Sequence, residues 1–202
     1  MTKYDTFRWA RPCLALFLLA SANLAQAQNQ VLGEVQLVGK TKAEKTSGVW
    51  IDGQYVGYVG ELKNDNKVLL LPGEHEISVR QSGYKEFSQK VVVEPKKRVV
   101  LHVFMQRDPQ ARFPEVTSQI KLAVTPERAA VYVDDAFVGS VSEFSGGHAM
   151  LVSPAKHHVK IALPGYQDFE TEVSLLPRQK ITIKTDLIPG TVSQAVSSNK
   201  PK

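Results

Sequence analysis

One cysteine, Cys13, is the whole thiol content of the 202-residue chain. It lies inside an N-terminal leader, so the rest of the chain has no disulfide and no thiol nucleophile, and it folds on core packing alone. Long apolar runs are missing too. Leu14-Ala-Leu-Phe-Leu-Leu-Ala20 falls well short of the ~20 residues that span a bilayer. No segment carries a sustained helical period, which argues for an all-β fold and removes the strand-turn-helix setting of a serine nucleophile elbow. Charge of one sign is only in small excess. Taking Lys3, Arg8, Arg11 and Asp5 of the leader from 25 bases and 20 acids leaves 22 and 19, a net of +3. That excess is spread along the chain, with Lys96-Lys97-Arg98 its densest point. Nucleic-acid binding needs a clustered basic face, so no nucleic-acid partner is expected.

What is present begins with the leader. Basic residues precede the apolar run, and Ala25-Gln26-Ala27 follows with the small residues that a signal peptidase requires. Residues 1–27 therefore read as a secretory signal peptide cleaved after Ala27, and the short run argues against a retained anchor. No adjacent arginine pair precedes the run, which favours the ordinary export route over the twin-arginine one. Arg11-Pro12 stands where a lipoprotein signal would place small residues before its cysteine. The expected location is periplasmic or cell-surface, with no transmembrane segment in the mature chain.

The organising feature is a repeat. Leu71-Pro-Gly-Glu-His-Glu-Ile-Ser-Val-Arg-Gln-Ser-Gly-Tyr-Lys-Glu-Phe87 returns as Ser153-Pro-Ala-Lys-His-His-Val-Lys-Ile-Ala-Leu-Pro-Gly-Tyr-Gln-Asp-Phe169. Pro72 maps to Pro154, His75 to His157, Gly83-Tyr84 to Gly165-Tyr166 and Phe87 to Phe169, each 82 positions on. A fixed period without gaps marks a duplicated structural unit. The expected division is a first sandwich over 28–105, a linker over 106–118, a second sandwich over 119–188 and a disordered tail over 189–202.

Within the first copy, Val31–Val38 reads as a strand, Gly39–Ser47 as a polar loop, and Gly48–Asp52 with Tyr55–Val59 as a hairpin. Asp52-Gly53 is the turn, because a type I′ turn needs positive φ at both central residues. That register sets Trp50 opposite Tyr55 and Val49 opposite Val56, and in the second copy Tyr132 opposite Phe137 and Val131 opposite Val138. Pro72-Gly73 turns the chain into a strand whose His75, Ile77 and Val79 share one face. Gly83 is a natural site for positive φ. Strands over Phe87–Val93 and Arg98–Met105 complete the unit, and short strands between regular turns point to a β-sandwich.

These residues resemble the PEGA domain family. Its pattern passes from a Pro and a small residue, through a Val-x-Val-Asp-Gly-like hairpin, to Pro-x-Gly-x-His-x-Val-x-Val and Gly-Tyr-x-x-Phe. In the second copy Thr125-Pro126-Glu-Arg-Ala-Ala130 stands at the naming motif, with Arg128 for its glycine. Asp135 replaces the hairpin glycine after Asp134, and Ala155 the glycine after Pro154. The first copy keeps Asp52-Gly53 and Pro72-Gly73 but shows Ala43-Glu44-Lys45 where the motif would open. The resemblance covers nearly all of the chain beyond the leader. It implies two small transthyretin-like sandwiches, common in exported and surface proteins, whose hallmark positions are turn and core residues and not catalytic ones.

Each candidate site has two readings. His75 and His157 recur, as metal ligands would, but only His158 flanks them, on the opposite side of its strand. A partly buried imidazole bonded to a backbone carbonyl explains the placement, and neither metal nor cofactor is expected. Asp52, Asp134 and Asp135 read as turn residues. Ser145-Gly-Gly-His148 resembles a nucleophile and base but has no third orienting group, and Asn64-Asp65-Asn66 occupies its place in the first copy, so no enzyme is expected. Trp50, Tyr55, Tyr58, Tyr132 and Phe137 fit either a platform on which sugar rings stack or packing that covers the sandwich or the interface between the copies. Tyr84, Tyr166, Phe87 and Phe169 read as corner anchors. The resulting expectation is a noncatalytic envelope binding or scaffolding module that offers loops or sheet edges to an envelope protein. The alternative is a module binding cell-wall polysaccharide through Trp50, Tyr55, Tyr132 and Phe137.

Overall fold

The computed structural model describes residues 31–63 and 66–190. The leader, Cys13, Asn64-Asp65 and residues 191–202 lie outside them. The fold is all-β, and the same strand plan occurs twice. In the first half β1 (Gly33–Val38) sits between β4 (Val68–Leu70) and β7 (Arg98–His102) in one sheet. The second sheet runs β3 (Gln54–Tyr58), β2 (Gly48–Ile51), β5 (Gly73–Arg80), β6 (Phe87–Val93). The other half repeats this with β8 (Ser118–Thr125) between β11 (Met150–Val152) and β14 (Lys180–Asp186). Its larger sheet runs β10 (Ala136–Ser140), β9 (Ala130–Val133), β12 (Lys156–Ala162), β13 (Phe169–Ser174). In each half the first and last strands pair in parallel, β1 with β7 and β8 with β14, while all other pairs are antiparallel.

Alternation builds the core. Val35 and Leu37 on β1 face Val49, Ile51, Ile77, Val79, Val91, Val93 and Leu101 across the first sandwich. Ile120, Leu122 and Val124 on β8 do the same for Val131, Val133, Val159 and Ile161. Apolar residues at every second position give each sheet one buried face, and two such faces close a sandwich.

Both hairpin turns have the expected backbone. Asp52 and Gly53 lie at φ 51° and 82°, and Asp134 and Asp135 at 50° and 65°, so an aspartate fills the glycine position of the second turn. Trp50 pairs with Tyr55 and Tyr132 with Phe137, as the turn requires. Beyond those pairs the expected register fails. Val49 faces Gly57 and not Val56, and Val131 faces Gly139 and not Val138. An extra residue is accommodated as a bulge in each case, beside a glycine at φ 139° or 157°.

Three other expectations change. The loop Gly39–Ser47 holds a one-turn helix, α1 (Lys42–Thr46), and a second, α2 (Val141–Phe144), follows β10. α1 is held by a capping box: the Thr41 hydroxyl accepts from Glu44 N–H, and the Glu44 carboxylate accepts from Thr41 N–H at 2.8 Å and Lys40 N–H at 2.7 Å. The repeated unit also runs past Met105. Lys85 N–H donates to Gln106 O and Asp108 N–H to Gly83 O, while Gln167 N–H donates to Ile188 O and Gly190 N–H to Gly165 O. The start of the linker and Pro189-Gly190 of the tail thus dock on equivalent glycine turns.

Candidate functional site

Strand β2 explains where the aromatic residues go. Val49 and Ile51 point into the first core, yet Trp50 is also buried, at 5% exposure, because it belongs to the core of the second half. Its ring meets Phe137 edge-on at 4.8 Å between centroids, and Tyr55 edge-on at 5.2 Å. A side chain at Gly48 would lie 2.6 Å from the Phe137 ring, so the missing Cβ is what lets the second hairpin approach. Tyr55, 6% exposed, donates its hydroxyl to Arg128 O at 2.9 Å, and burial raises its pKa. Arg128 in turn donates from Nη2 to Val56 O at 2.6 Å and sets its Nε 3.0 Å from Glu61 Oε1. Gln81 Nε2 donates to both oxygens of Glu143 at 3.1 and 3.3 Å. Burial pushes the Glu61 and Glu143 carboxyls up, opposed by Arg128 and by the Gln81 amide respectively.

This packing bears on the sugar-stacking reading. Trp50 and Tyr55 have no open ring face, and Phe137 is held against both. Tyr132 lines a cavity of about 360 Å³ with Asp135, Lys160, Ala162 and Asp168. A larger cavity of about 520 Å³ lies between β3 and β4, lined by Val56, Lys67, Leu70 and Arg128 among others.

The two recurrent histidines acquire partners that strand periodicity does not reveal. His75 Nδ1 lies 2.7 Å from Asp52 Oδ2 and its Nε2 2.8 Å from Leu71 O. His157 repeats this with Asp134 Oδ2 at 2.7 Å and Ser153 O at 2.9 Å. The second oxygen of each aspartate accepts a backbone N–H, of Glu76 or His158, at 2.9 Å. Each ring therefore faces an acceptor at both nitrogens, and only an imidazolium has two N–H groups to donate. The bond to Asp52 raises the His75 pKa, helped by Leu71 O. Burial of His157 works against its charge, but Asp134 and Ser153 O outweigh it and the pKa rises. Both aspartates are held low, first by the histidine and then by the backbone N–H. The signal in the sequence was the shared separation of 23 residues between aspartate and histidine in both halves.

Ser153 Oγ also lies 3.1 Å from His157 Nε2, which gives Ser153, His157 and Asp134 the spacing of a catalytic triad. The rest of the geometry opposes that role. Nε2–H is directed at Ser153 O, so no lone pair is left to take a hydroxyl proton, and Leu71 holds the serine position in the first half with the same histidine and aspartate retained. Ser145 Oγ donates to Ser142 O at 3.3 Å and, among the described residues, makes no side-chain bond to His148. Pro72 and Pro154 start the turns into β5 and β12, Gly73 adopts φ 147°, and Gly83 and Gly165 lie at 79° and 85°. Tyr84 and Phe87 pack on the first core, Tyr166 and Phe169 on the second. Among the described residues no group of three or more His, Cys, Asp or Glu has metal-binding geometry, and no helix is long and apolar enough to cross a membrane.

Residues 117–190 match the PEGA domain. The match spans β8 to β14 with both ends of the docked unit. The chain is also similar to the solved structure of the Bacillus anthracis TIE protein, at 13% identity and a TM-score of 0.28. That similarity covers 78% of this chain and 34% of the other, so the chain spans about a third of that protein's length. No curated protein matches it.

Proposed function

We propose that the chain is an exported, noncatalytic binding or scaffolding protein of the cell envelope, built from two PEGA-type sandwiches that present loops or sheet edges to an envelope protein. The observation that carries this reading is the exact recurrence of strand order, Asp–His clamp and docked glycine turn in residues 31–108 and in the PEGA match at 117–190. What recurs is strand order, turns and hydrogen bonds within each half, which supports a noncatalytic reading. The signal-like layout of residues 1–27 supports export. Burial of Trp50 and Tyr55 between the halves favours a protein partner over a polysaccharide bound along the aromatic hairpins.

Crosslinking in intact cells that produce the chain, followed by mass spectrometry of the captured material, tests the reading. A small, reproducible set of envelope proteins attached through exposed loops or edges is expected. Recovery of cytoplasmic proteins alone would overturn it, as would a chain that co-sediments with purified cell wall and captures no protein.

A further inference from the structure

Among the differences between the halves, one removes a cation from beside an aromatic ring. In the first half, the Arg80 guanidinium lies over the Trp50 ring, 4.8 Å from its centroid, and its Nη2 reaches Glu86 Oε1 at 3.0 Å. A guanidinium over an aromatic face, steered by a carboxylate, is a favourable pairing of charge with ring quadrupole. Moving 82 positions along, Trp50 becomes Tyr132 and Glu86 becomes Asp168, so the aromatic floor and the acid are kept. Arg80 becomes Ala162, and the cation is gone. The space it would fill is the cavity of about 360 Å³ over Tyr132, with Ala162 in its wall.

The remaining lining suits a cation. Asp135 replaces Gly53 and adds a second carboxylate, and Glu170 stands beside Asp168. Lys160 is the opposing charge, and its Nζ turns to Asp168 Oδ2 at 2.6 Å and Glu170 Oε1 at 3.4 Å. Among the described residues it makes no stack on Tyr132. Two carboxylates thus hold the one ammonium, Asp135 adds a third acid to the lining, and Tyr132 is the aromatic side chain in the cavity wall.

We propose that this cavity receives the guanidinium of an arginine carried by the partner protein, in the pose that Arg80 holds over Trp50. The first half contains its own guest and the second is built to take one from outside. The inference rests on the binding reading above and gives the chemistry of its partner: a segment with an exposed arginine that stacks on Tyr132 and pairs with Asp135 and Asp168.

The test is a two-dimensional NMR titration of the ¹⁵N-labelled chain with the tripeptide acetyl-Gly-Arg-Gly-amide, with the matching lysine peptide and chitohexaose as comparators. Shifts centred on Tyr132, Asp135, Ala162 and Asp168 are expected, saturating in the millimolar range that a single side chain reaches, about 1–10 mM. Ala162→Arg supplies the guest in cis and should weaken the response about tenfold or more. Arg80→Ala should open a second site and add shifts around Trp50 and Gly53. The proposal is overturned by no response to the arginine peptide up to about 20 mM, or by an equal response in Ala162→Arg. It is equally overturned if chitohexaose, and not arginine, moves these resonances. Failure here leaves the crosslinking result standing, so the two readings fall separately.

Discussion

Asp134→Asn isolates the charge of the clamp in the second half. Asp134 sits at φ 50°, a left-handed backbone that asparagine tolerates as readily as aspartate, so the turn survives the change. Asparagine keeps an oxygen for His158 N–H, but it has no anion to hold the His157 imidazolium. A hydrogen bond between charged groups contributes about 1.5–3 kcal/mol. The Asp134 carboxylate is 55% exposed, so water screens it, and the lower end, ~1.5 kcal/mol, is the expected loss. The pH dependence follows from the direction of each shift. The histidine pKa is raised in the fold, so its contribution is complete below the free value of 6.5 and disappears as pH climbs through the folded value. The aspartate pKa is lowered, so its contribution is complete above 3.8 and is lost as pH falls through the folded value. The clamp therefore operates fully between those two limits. Trp50 is the only tryptophan after the leader and lies in the second core, so its fluorescence reports on this half during urea unfolding. The parent chain should lose stability as pH rises from 6.5 through the raised folded value of His157, and Asp134→Asn should flatten that slope and cost most at the acidic end. Equal slopes in the two proteins, or a loss that persists undiminished at alkaline pH, would refute the imidazolium assignment.

Three further outcomes follow from the contacts. Gly48→Ala drives a methyl group into the Phe137 and Trp50 rings and should destabilise the docking of the two hairpins by about 1–3 kcal/mol, read as a lower urea midpoint with red-shifted Trp50 emission. Glu143→Gln should stabilise the chain by about 1 kcal/mol at neutral pH in the same assay. It removes a carboxylate whose pKa burial has raised, and it offers an N–H to Gln81 Oε1, a buried acceptor with no donor among the described residues. Because a raised carboxyl pKa lowers stability as pH rises from 4.5 through the folded value, the variant should also lose that part of the pH dependence. Thr41→Ala removes the α1 cap and should cost about 1 kcal/mol, with faster hydrogen exchange at Glu44 N–H.

Local chemistry made most of the architecture readable. Alternation on β5 and β12 and the aspartate turns placed the hairpins, because a side-chain period of two and a positive-φ pair leave few other conformations. The bulges at Val56 and Val138 were hidden: their sign is a glycine two residues past the aromatic, and a strand glycine has several causes. The α1 cap was legible in Thr41-Lys-Ala-Glu44, a capping box set in a segment short and polar enough to pass for loop. The site was less readable for a physical reason. A repeat reports what the copies share: Glu61 and Glu143 are matched acids 82 positions apart, but their partners across the halves, Arg128 and Gln81, correspond to Thr46 and Leu163 and so leave no repeated signal. The histidine partners were within reach, since Asp52 and Asp134 keep one spacing to His75 and His157, but a turn role accounts for an aspartate there without any partner.

The parallel pairing of β1 with β7 and of β8 with β14 has a mechanical consequence. Chain enters each half through the start of the first strand and leaves from the end of the last, at opposite ends of one ladder. Tension between the two ends of the protein therefore loads each ladder lengthwise. Its hydrogen bonds share the force and rupture together, where a hairpin pulled from its open end would peel one bond at a time. In the second half seven residues of β14 lie in register against β8, from Lys180 opposite Gln119 to Asp186 opposite Thr125. A protein tethered at one end and pulled at the other would meet its stiffest resistance along these two seams.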